Sequence, residues 1–144
     1  MVKISNKIIV INIILPIILG AVIYYLTSPE VIFVKQIDHF LGNGFHIVGL
    51  STENQVLRFI RNYGLDMLWG YAFVFALFLV VGNNAADLMK SFLIAFLFST
   101  AMEILQLTSF AKGTFDVYDI VVEFLAEIFA VFIINKILLR RKFK

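Results

Sequence analysis

In the stretch TFDVYDIVVEFLAEIFAVF, residues 114–132, four acidic side chains accompany an apolar run. Asp116 and Asp119 lie near its start, and Glu123 and Glu127 interrupt it. An acidic side chain at the centre of a bilayer costs about 2.5–3.5 kcal/mol on membrane-insertion scales. Ionisable residues in membrane helices therefore usually face the interior of a helix bundle, where they mark a functional site. The stretch predicts a membrane helix with one functional face.

The composition is typical of a membrane protein. Apolar residues make up 61% of the 144 residues and charged residues 15%, against about 45–50% and about 25% in soluble domains. The net charge of +2 and the lack of a basic stripe argue against a nucleic-acid partner. The chain has no cysteine, which excludes disulfides, thiol catalysis and thiolate metal sites. Membrane lipids are the expected surroundings of this protein.

Several apolar segments are long enough to cross a hydrocarbon core of about 30 Å, which takes about 20 helical residues. Lys3 and Lys7 precede the first segment as in a signal peptide, but the segment is too long for one and lacks a small-x-small cleavage site. We interpret it as a retained helix, kinked at Pro16. The sequence thus predicts an all-α integral membrane protein, a bundle of four transmembrane helices in one domain, residues 1–144. The predicted spans are 8–27, 64–81, 91–110 and 117–139.

The distribution of cations predicts the topology, because cytoplasmic loops are enriched in lysine and arginine. Eight cations fall on the side of both chain termini and four on the other side, so both termini are expected in the cytoplasm. Nine of the ten acidic residues then lie outside or in the outer part of the bilayer, where they exceed the cations by five. Some of these acids are therefore expected to be protonated, or to bind a cation or a donor-rich ligand. The four outer cations are Lys35, Arg58, Arg61 and Lys112.

The outer loop, residues 28–63, is too long for a simple connection. It contains two amphipathic stretches that predict short helices on the outer membrane surface. Such helices either close the bundle or form a lid over a site. The apolar positions of the first stretch are Phe33, Val34, Ile37, Phe40 and Leu41. In the second, a capping-box pattern of Thr52 and Gln55 precedes Val56, Leu57 and Ile60.

Polar residues on the last two spans line up at helical spacing. Ser99, Thr100, Glu103 and Gln106 share one face of the third span. The four acids of the opening stretch follow the spacing i, i+3, i+7, i+11, which is one stripe on the fourth. Successive spans joined by short loops are antiparallel neighbours, so these faces are expected to meet in an acidic pocket that opens outward. The small residues Ala126 and Ala130 border the stripe and favour close helix approach.

This pocket contains the candidate ligand-binding residues. A purely structural role, with hydrogen bonds between helices, is the alternative for the same side chains. His39 and His46 lack the tight spacing of metal ligands and are interpreted as surface residues, so no metal and no cofactor is expected. The first candidates are Glu103, Gln106, Asp119 and Glu123, and the second are Asp66, Asp116 and Glu127.

The segment EILQLTSFAKGTFDVYDIVVEFLA, residues 103–126, resembles the C-terminal signature of the VanZ-like family. That family is named for a glycopeptide (teicoplanin) resistance protein. Glu103 and Gln106 match its Glu–Gln pair, and Asp116 and Asp119 match the Asp pair that opens its next helix. The resemblance implies a VanZ-like domain in the cytoplasmic membrane of a bacterium and a role in the cell envelope and in antibiotic resistance.

This chain also departs from the family pattern. Gly113 stands where the family has arginine, and Glu123 stands where it has asparagine. Of an early Asp-Lys-x-x-His element only Asp66 is present, since Met67 and Gly70 replace the other two residues. The predicted site is therefore more acidic than that of the family.

Three classes of function follow from these patterns. The first is a VanZ-like envelope protein that binds a lipid-linked envelope precursor, a glycopeptide or a lipopeptide in the acidic pocket. The second is an acid–base enzyme acting on a lipid-linked substrate, although no nucleophile–histidine pair or H-E-x-x-H motif is present and no catalytic residue is assigned. The third is a proton- or cation-coupled transport element. Four helices without an inverted repeat are few for a transporter unless the chain forms a homo-oligomer.

Overall fold

The computed structural model describes residues 6–27, 32–42, 55–82, 84–108 and 115–140, and all secondary structure in these ranges is helical. Three of the helices, α1, α3 and α4, contain segments long and apolar enough to cross a membrane. The prediction of an all-α membrane protein is therefore confirmed. The helices are α1 (Asn6–Thr27), α2 (Ile32–Leu41), α3 (Gln55–Val81), α4 (Ala85–Gln106) and α5 (Val117–Arg140).

Helix α3 is the centre of the bundle. It packs against α1 on one side and against α4 and α5 on the other, and α4 and α5 pack against each other. The apolar core lies in the half of the bundle that contains the end of α3 and the start of α4. Its buried members are Ile9, Val74, Phe75, Phe78, Leu88, Ala95, Ala130 and Ile134. The opposite half contains Asp66, Glu103 and Glu123, and we call its end, where Tyr63, Gln106 and Asp116 lie, the acidic end.

Three predicted span boundaries differ by four residues or more from the ends of the helices that contain them. The second span was expected to start at residue 64, after a separate short helix, but α3 runs without a break from Gln55. Gly64 lies where the amphipathic stretch meets the apolar one, but a helix tolerates an isolated glycine and α3 continues through it. Helix α4 begins at Ala85 rather than at residue 91 and ends at Gln106 rather than at residue 110. The expected cap at Thr52 lies outside the described residues.

The connection between α3 and α4 explains the early start of α4. The carbonyl of Asn84 accepts hydrogen bonds from the amides of Asp87 and Leu88, which starts the helix. Gly82 has a φ of +146°, and a Cβ at this position would collide with the Asp87 carboxylate. Only glycine combines this backbone conformation with so close a contact.

The first amphipathic stretch of the outer loop forms α2, as predicted. Val34 is buried, while Phe40 is 89% exposed, so the apolar surface of α2 is divided between the bundle and its surroundings. The Tyr25 hydroxyl of α1 donates a hydrogen bond of 2.5 Å to Asp38 of α2. The contact attaches α2 to the end of α1.

The hydroxyl of Tyr71 joins α3 to α1 by donating a hydrogen bond of 2.6 Å to the Asn12 side chain. Hydrogen bonds between membrane helices contribute about 0.6 kcal/mol on average and up to about 1.7 kcal/mol. We expect Tyr71→Phe to lower the free energy of unfolding by an amount in that range, measured by denaturant unfolding in micelles. Tyr118→Phe is the control, because Tyr118 is 68% exposed. Equal stability of the two variants would contradict a stabilising role for this bond.

Candidate functional site

The face of α4 that enters the bundle carries small side chains at every fourth position. Ser91, Ala95 and Ser99 are buried, and Glu103 continues the same row with 8% of its surface exposed. Residues four apart lie above one another on a helix, so the row forms a shallow groove along α4. Small residues of this kind let a neighbouring membrane helix approach closely.

Helix α5 places its two glutamates in the bundle interior. Glu123 is 7% exposed and Glu127 is fully buried, and Ala126 and Ala130 beside them are buried as well. Several apolar side chains on the other faces of α5 are exposed. This burial agrees with the predicted inward stripe. The exposed apolar residues include Val121, Leu125, Ile128, Phe129 and Phe132.

Gly70 of α3 determines how closely α3 and α5 approach each other. A Cβ on this glycine would lie 3.3 Å from the Glu123 carbonyl oxygen and 3.5 Å from Cγ of Glu127. Any larger side chain would push α5 away from α3, because interior packing leaves no free volume for it. Both glutamates are thus held against the backbone of α3.

Each buried glutamate has a carboxyl oxygen without a hydrogen-bond partner. Glu127 Oε1 accepts a hydrogen bond of 3.2 Å from the Ser99 hydroxyl, and Glu103 Oε1 accepts one of 2.8 Å from the Gln106 amide. The Oε2 atoms of Glu103, Glu123 and Glu127 are buried and accept none, and the Thr100 hydroxyl is also buried without a partner. A buried polar atom without a partner costs about 1–3 kcal/mol. Unpaired acceptors of this kind point to a role besides packing.

Two further carboxyls lie at the rim of this group. Asp66 of α3 and Asp119 of α5 are half-buried, and each lies close enough to Glu103 for an electrostatic interaction. Glu123 likewise interacts with Asp66 and with Glu127. We call the five residues Asp66, Glu103, Asp119, Glu123 and Glu127 the carboxyl cluster.

Asp116 has a capping role at the start of α5. Its carboxylate accepts a hydrogen bond of 2.9 Å from the Tyr118 amide, and the Tyr63 hydroxyl donates to its other oxygen at 3.4 Å. The carboxylate therefore satisfies a free amide at a helix N-terminus, which is a common position for aspartate. Of the predicted site residues, Asp116 is the one with a local structural explanation.

No lysine or arginine among the described residues contacts the carboxyl cluster. Lys90 pairs with Asp87 at 3.5 Å, near the other end of the bundle. Within the described ranges, no three histidine or acidic side chains are arranged to hold a metal ion. Lys112, which lies beside the position of the family arginine at Gly113, is outside the described residues.

Aromatic side chains cover the two contacts that α4 makes near the cluster. Between α3 and α4, Phe73 contacts Phe98 with ring centroids 5.2 Å apart, and Trp69 stacks on Phe73 at 5.4 Å. Between α4 and α5, Phe124 contacts Phe96 at 5.1 Å and Phe92 at 6.0 Å. These ring contacts hold α4 against α3 and α5 on both sides.

Two cavities lined by described residues lie elsewhere and are apolar. One, of about 320 Å³, lies between α1, α3 and α5 and is lined in part by Pro16, Tyr71 and Phe129. The other, of about 480 Å³, lies under α2 and is lined in part by Tyr24 and Val34. No cluster carboxyl lines either cavity. The carboxyls are instead packed among the helices.

Comparison of the chain with protein-family models, curated proteins and solved structures gives no significant match. The site is therefore interpreted from its own residues.

Proposed function

We propose that α5 crosses the membrane as a fourth spanning helix and that both chain termini face the cytoplasm of a bacterial cell. Its 24 residues correspond to about 36 Å at 1.5 Å per residue, enough for a hydrocarbon core of about 30 Å. The free-energy cost of inserting its buried acids is reduced beside the other helices, because the acids face α3 and α4 rather than lipid. On this topology the acidic end lies outside the cell.

Single cysteines test this topology, because the parent chain has none. A cysteine at Gln55, which is exposed near the acidic end, is expected to react with an impermeant thiol reagent in intact cells. A cysteine at Ala85, exposed near the other end, is expected to react only after the cells are opened. The reverse pattern would contradict the orientation, and labelling at both positions in intact cells would contradict a spanning bundle.

We propose that the protein is a VanZ-like component of the cell envelope that binds a ligand at the carboxyl cluster. The main support is the set of three glutamates, each more than nine-tenths buried, whose Oε2 atoms have no hydrogen-bond partner. A bound ligand would supply hydrogen-bond donors to these acceptors, whereas helix packing alone leaves them unpaired. The sequence resemblance at residues 103–126 supports the family assignment, because its Glu–Gln and Asp pairs fall in or beside the cluster.

The chemistry of the cluster specifies the kind of ligand. Its carboxyls accept hydrogen bonds and favour positive charge, and no described cation competes for them. A ligand with amino or ammonium groups, such as a glycopeptide or lipopeptide antibiotic or a lipid-linked envelope precursor, would supply both donors and charge. Such a ligand would approach from the acidic end, where Asp66 and Asp119 are half-buried rather than enclosed. Binding of an antibiotic here would lower the amount free to reach its target.

A growth assay tests this function. A deletion strain is expected to become more susceptible to teicoplanin and to a cationic lipopeptide, and the parent chain is expected to restore growth. Glu103→Gln should fail to restore it, because the change removes the negative charge and replaces the unpaired Oε2 acceptor by an NH2 donor. The remaining amide oxygen can still accept the hydrogen bond from Gln106. Asp87→Asn, an acid outside the cluster, is the matched control and should restore growth.

The same assay separates the alternatives. If the deletion changes growth only at low pH or high salt, ion or proton coupling replaces antibiotic binding as the function. If Glu103→Gln restores growth as well as the parent chain does, the carboxyl cluster is not the binding site.

A further inference from the structure

We propose that Glu127 is the inner end of a proton path that opens only at the acidic end of the bundle. The inference deepens the proposed function and rests on it in one respect, because it takes the same carboxyl cluster as a working site. It adds that the innermost occupant of the cluster is a proton exchanged with the outer solution, whereas a larger ligand binds nearer the rim.

The first argument is the gradient of burial along the cluster. Asp66 and Asp119 are half-buried at the rim, Glu103 and Glu123 are 8% and 7% exposed, and Glu127 is fully enclosed. The acids face one another from three helices, with Asp66 on α3, Glu103 on α4 and the others on α5. In order of increasing burial, the acids form a series of proton acceptors from the rim to Glu127.

The second argument is that described side chains pack closely around the cluster. Gly70 brings α3 against the backbone of Glu123, so α3 and α5 are in direct contact there. The aromatic rows of Phe73 with Phe98 and of Phe96 with Phe124 cover the two contacts of α4. The half-buried members of the cluster, Asp66 and Asp119, lie toward the acidic end, so we expect solvent to reach the cluster from that end.

The inner side of Glu127 is closed by the apolar core. Phe75 and Phe78 of α3 are fully buried there, as are Ala130 and Ile134 of α5. Tyr71, a titratable group on α3, directs its hydroxyl to Asn12 of α1. Below Glu127 no described carboxyl lies before Asp87 at the other end, and the buried Ser91 of α4 is separated from Ser99 by Ala95 and donates its hydroxyl to the Asp87 carbonyl.

The third argument concerns the size of the occupant. Glu127 Oε2 is fully enclosed and has no partner, and no described acids are arranged for a metal ion. A proton meets both conditions, because it needs neither a cavity nor several ligands. In each transfer a carboxylic acid gives its proton to a neighbouring carboxylate and becomes ionised itself, so charge is conserved at every step. The Ser99 hydroxyl, which bonds to Glu127 Oε1, both donates and accepts hydrogen bonds.

Infrared spectroscopy on reconstituted protein tests the proposal. Vesicles of ether-linked phosphatidylcholine contain no ester carbonyls, so the carbonyl stretch of a neutral carboxylic acid is visible. The orientation of the protein in the vesicles is determined by labelling a cysteine at Gln55 with an impermeant thiol reagent. We expect this band to change when the pH is changed on the side of the acidic end, and not when it is changed on the other side. Glu127→Gln should remove the responding component, while Asp87→Asn should leave it unchanged.

Ser99→Ala provides a second identification of the band, needed if Glu127→Gln does not fold. Loss of the Ser99 hydrogen bond should shift the frequency of the Glu127 carbonyl without removing its pH response. The proposal is overturned if the band responds to pH on the opposite side, responds to neither side, loses no responding component in folded Glu127→Gln, or has no shifted component in Ser99→Ala. The outcome is independent of the growth assay: a one-sided response in a chain without effect on antibiotics would leave the proton path and remove the antibiotic role.

Discussion

The double variant Glu123→Gln, Glu127→Gln is expected to fold like the parent chain and to lose the growth phenotype entirely. Glutamine has the size of glutamate, and its amide oxygen can still accept the Ser99 hydrogen bond that Glu127 receives. The substitution also removes two ionisable groups from the interior, where charge is costly. Stability should therefore be unchanged or higher, while the capacity to bind a proton or an ammonium group is lost.

Two measurements on this variant are needed together. Denaturant unfolding in micelles checks the fold, and growth of the complemented deletion strain under teicoplanin checks the function. Glu127→Leu is the informative comparison, because it leaves the buried Ser99 hydroxyl without its acceptor at a cost of about 1–3 kcal/mol. A stable double glutamine variant that restores full growth would show that the two glutamates only hold the helices together.

Replacement of Gly70 is expected to have the largest structural effect of a single substitution. Gly70→Leu would place a branched side chain where even a Cβ lies 3.3 Å from the Glu123 carbonyl oxygen. Overpacking of a tight interior typically costs about 1–3 kcal/mol, and here it would also separate α3 from both glutamates. We expect lower stability and loss of the growth phenotype, with Gly70→Ala intermediate because only one atom must be accommodated.

Gly64→Ala is the matched control for this prediction. Gly64 is also in α3, but a Cβ there would meet only Ile60 of the same helix, at 3.4 Å. Replacing a helical glycine by alanine without strain stabilises a protein by about 0.4–1 kcal/mol. Unfolding midpoints that fall for Gly70→Leu and rise for Gly64→Ala would agree with the packing described here. Equal midpoints for the two variants would show that α3 and α5 are not in close contact at Gly70.

Much of the fold follows from patterns that a single helix carries by itself. The apolar lengths predict the long helices, and the spacing of Asp119, Glu123 and Glu127 predicts their common face. The start of α3 differs from the prediction because a helix can either end at an isolated glycine or continue through it, and Gly64 lies between the amphipathic stretch and the apolar one.

The partners within the candidate site were less predictable. Periodicity places Ser99 and Glu127 on inward faces but does not determine the offset between two helices, so their hydrogen bond could not be derived. The role of Gly70 depends on the same offset. Asp116 belongs to the same stripe as the other acids, yet it caps α5. The sequence signal for that role is its position directly before the first residue of the helix, Val117.

The inward direction of the α5 acids has a consequence for biosynthesis. Helices α3 and α4 precede α5 in the chain, so Gly70 and Ser99 can already be in the membrane when Glu123 and Glu127 leave the ribosome. Insertion of α5 into lipid alone would carry the full free-energy cost of placing two acids in the bilayer. Insertion beside an already assembled α3–α4 pair would place the acids against protein instead. On the proposed topology, membrane integration of α5 is a late, cooperative step that depends on the earlier helices. Correct packing of α3 against α4 would then determine whether α5 of a newly made chain is integrated or the chain is degraded.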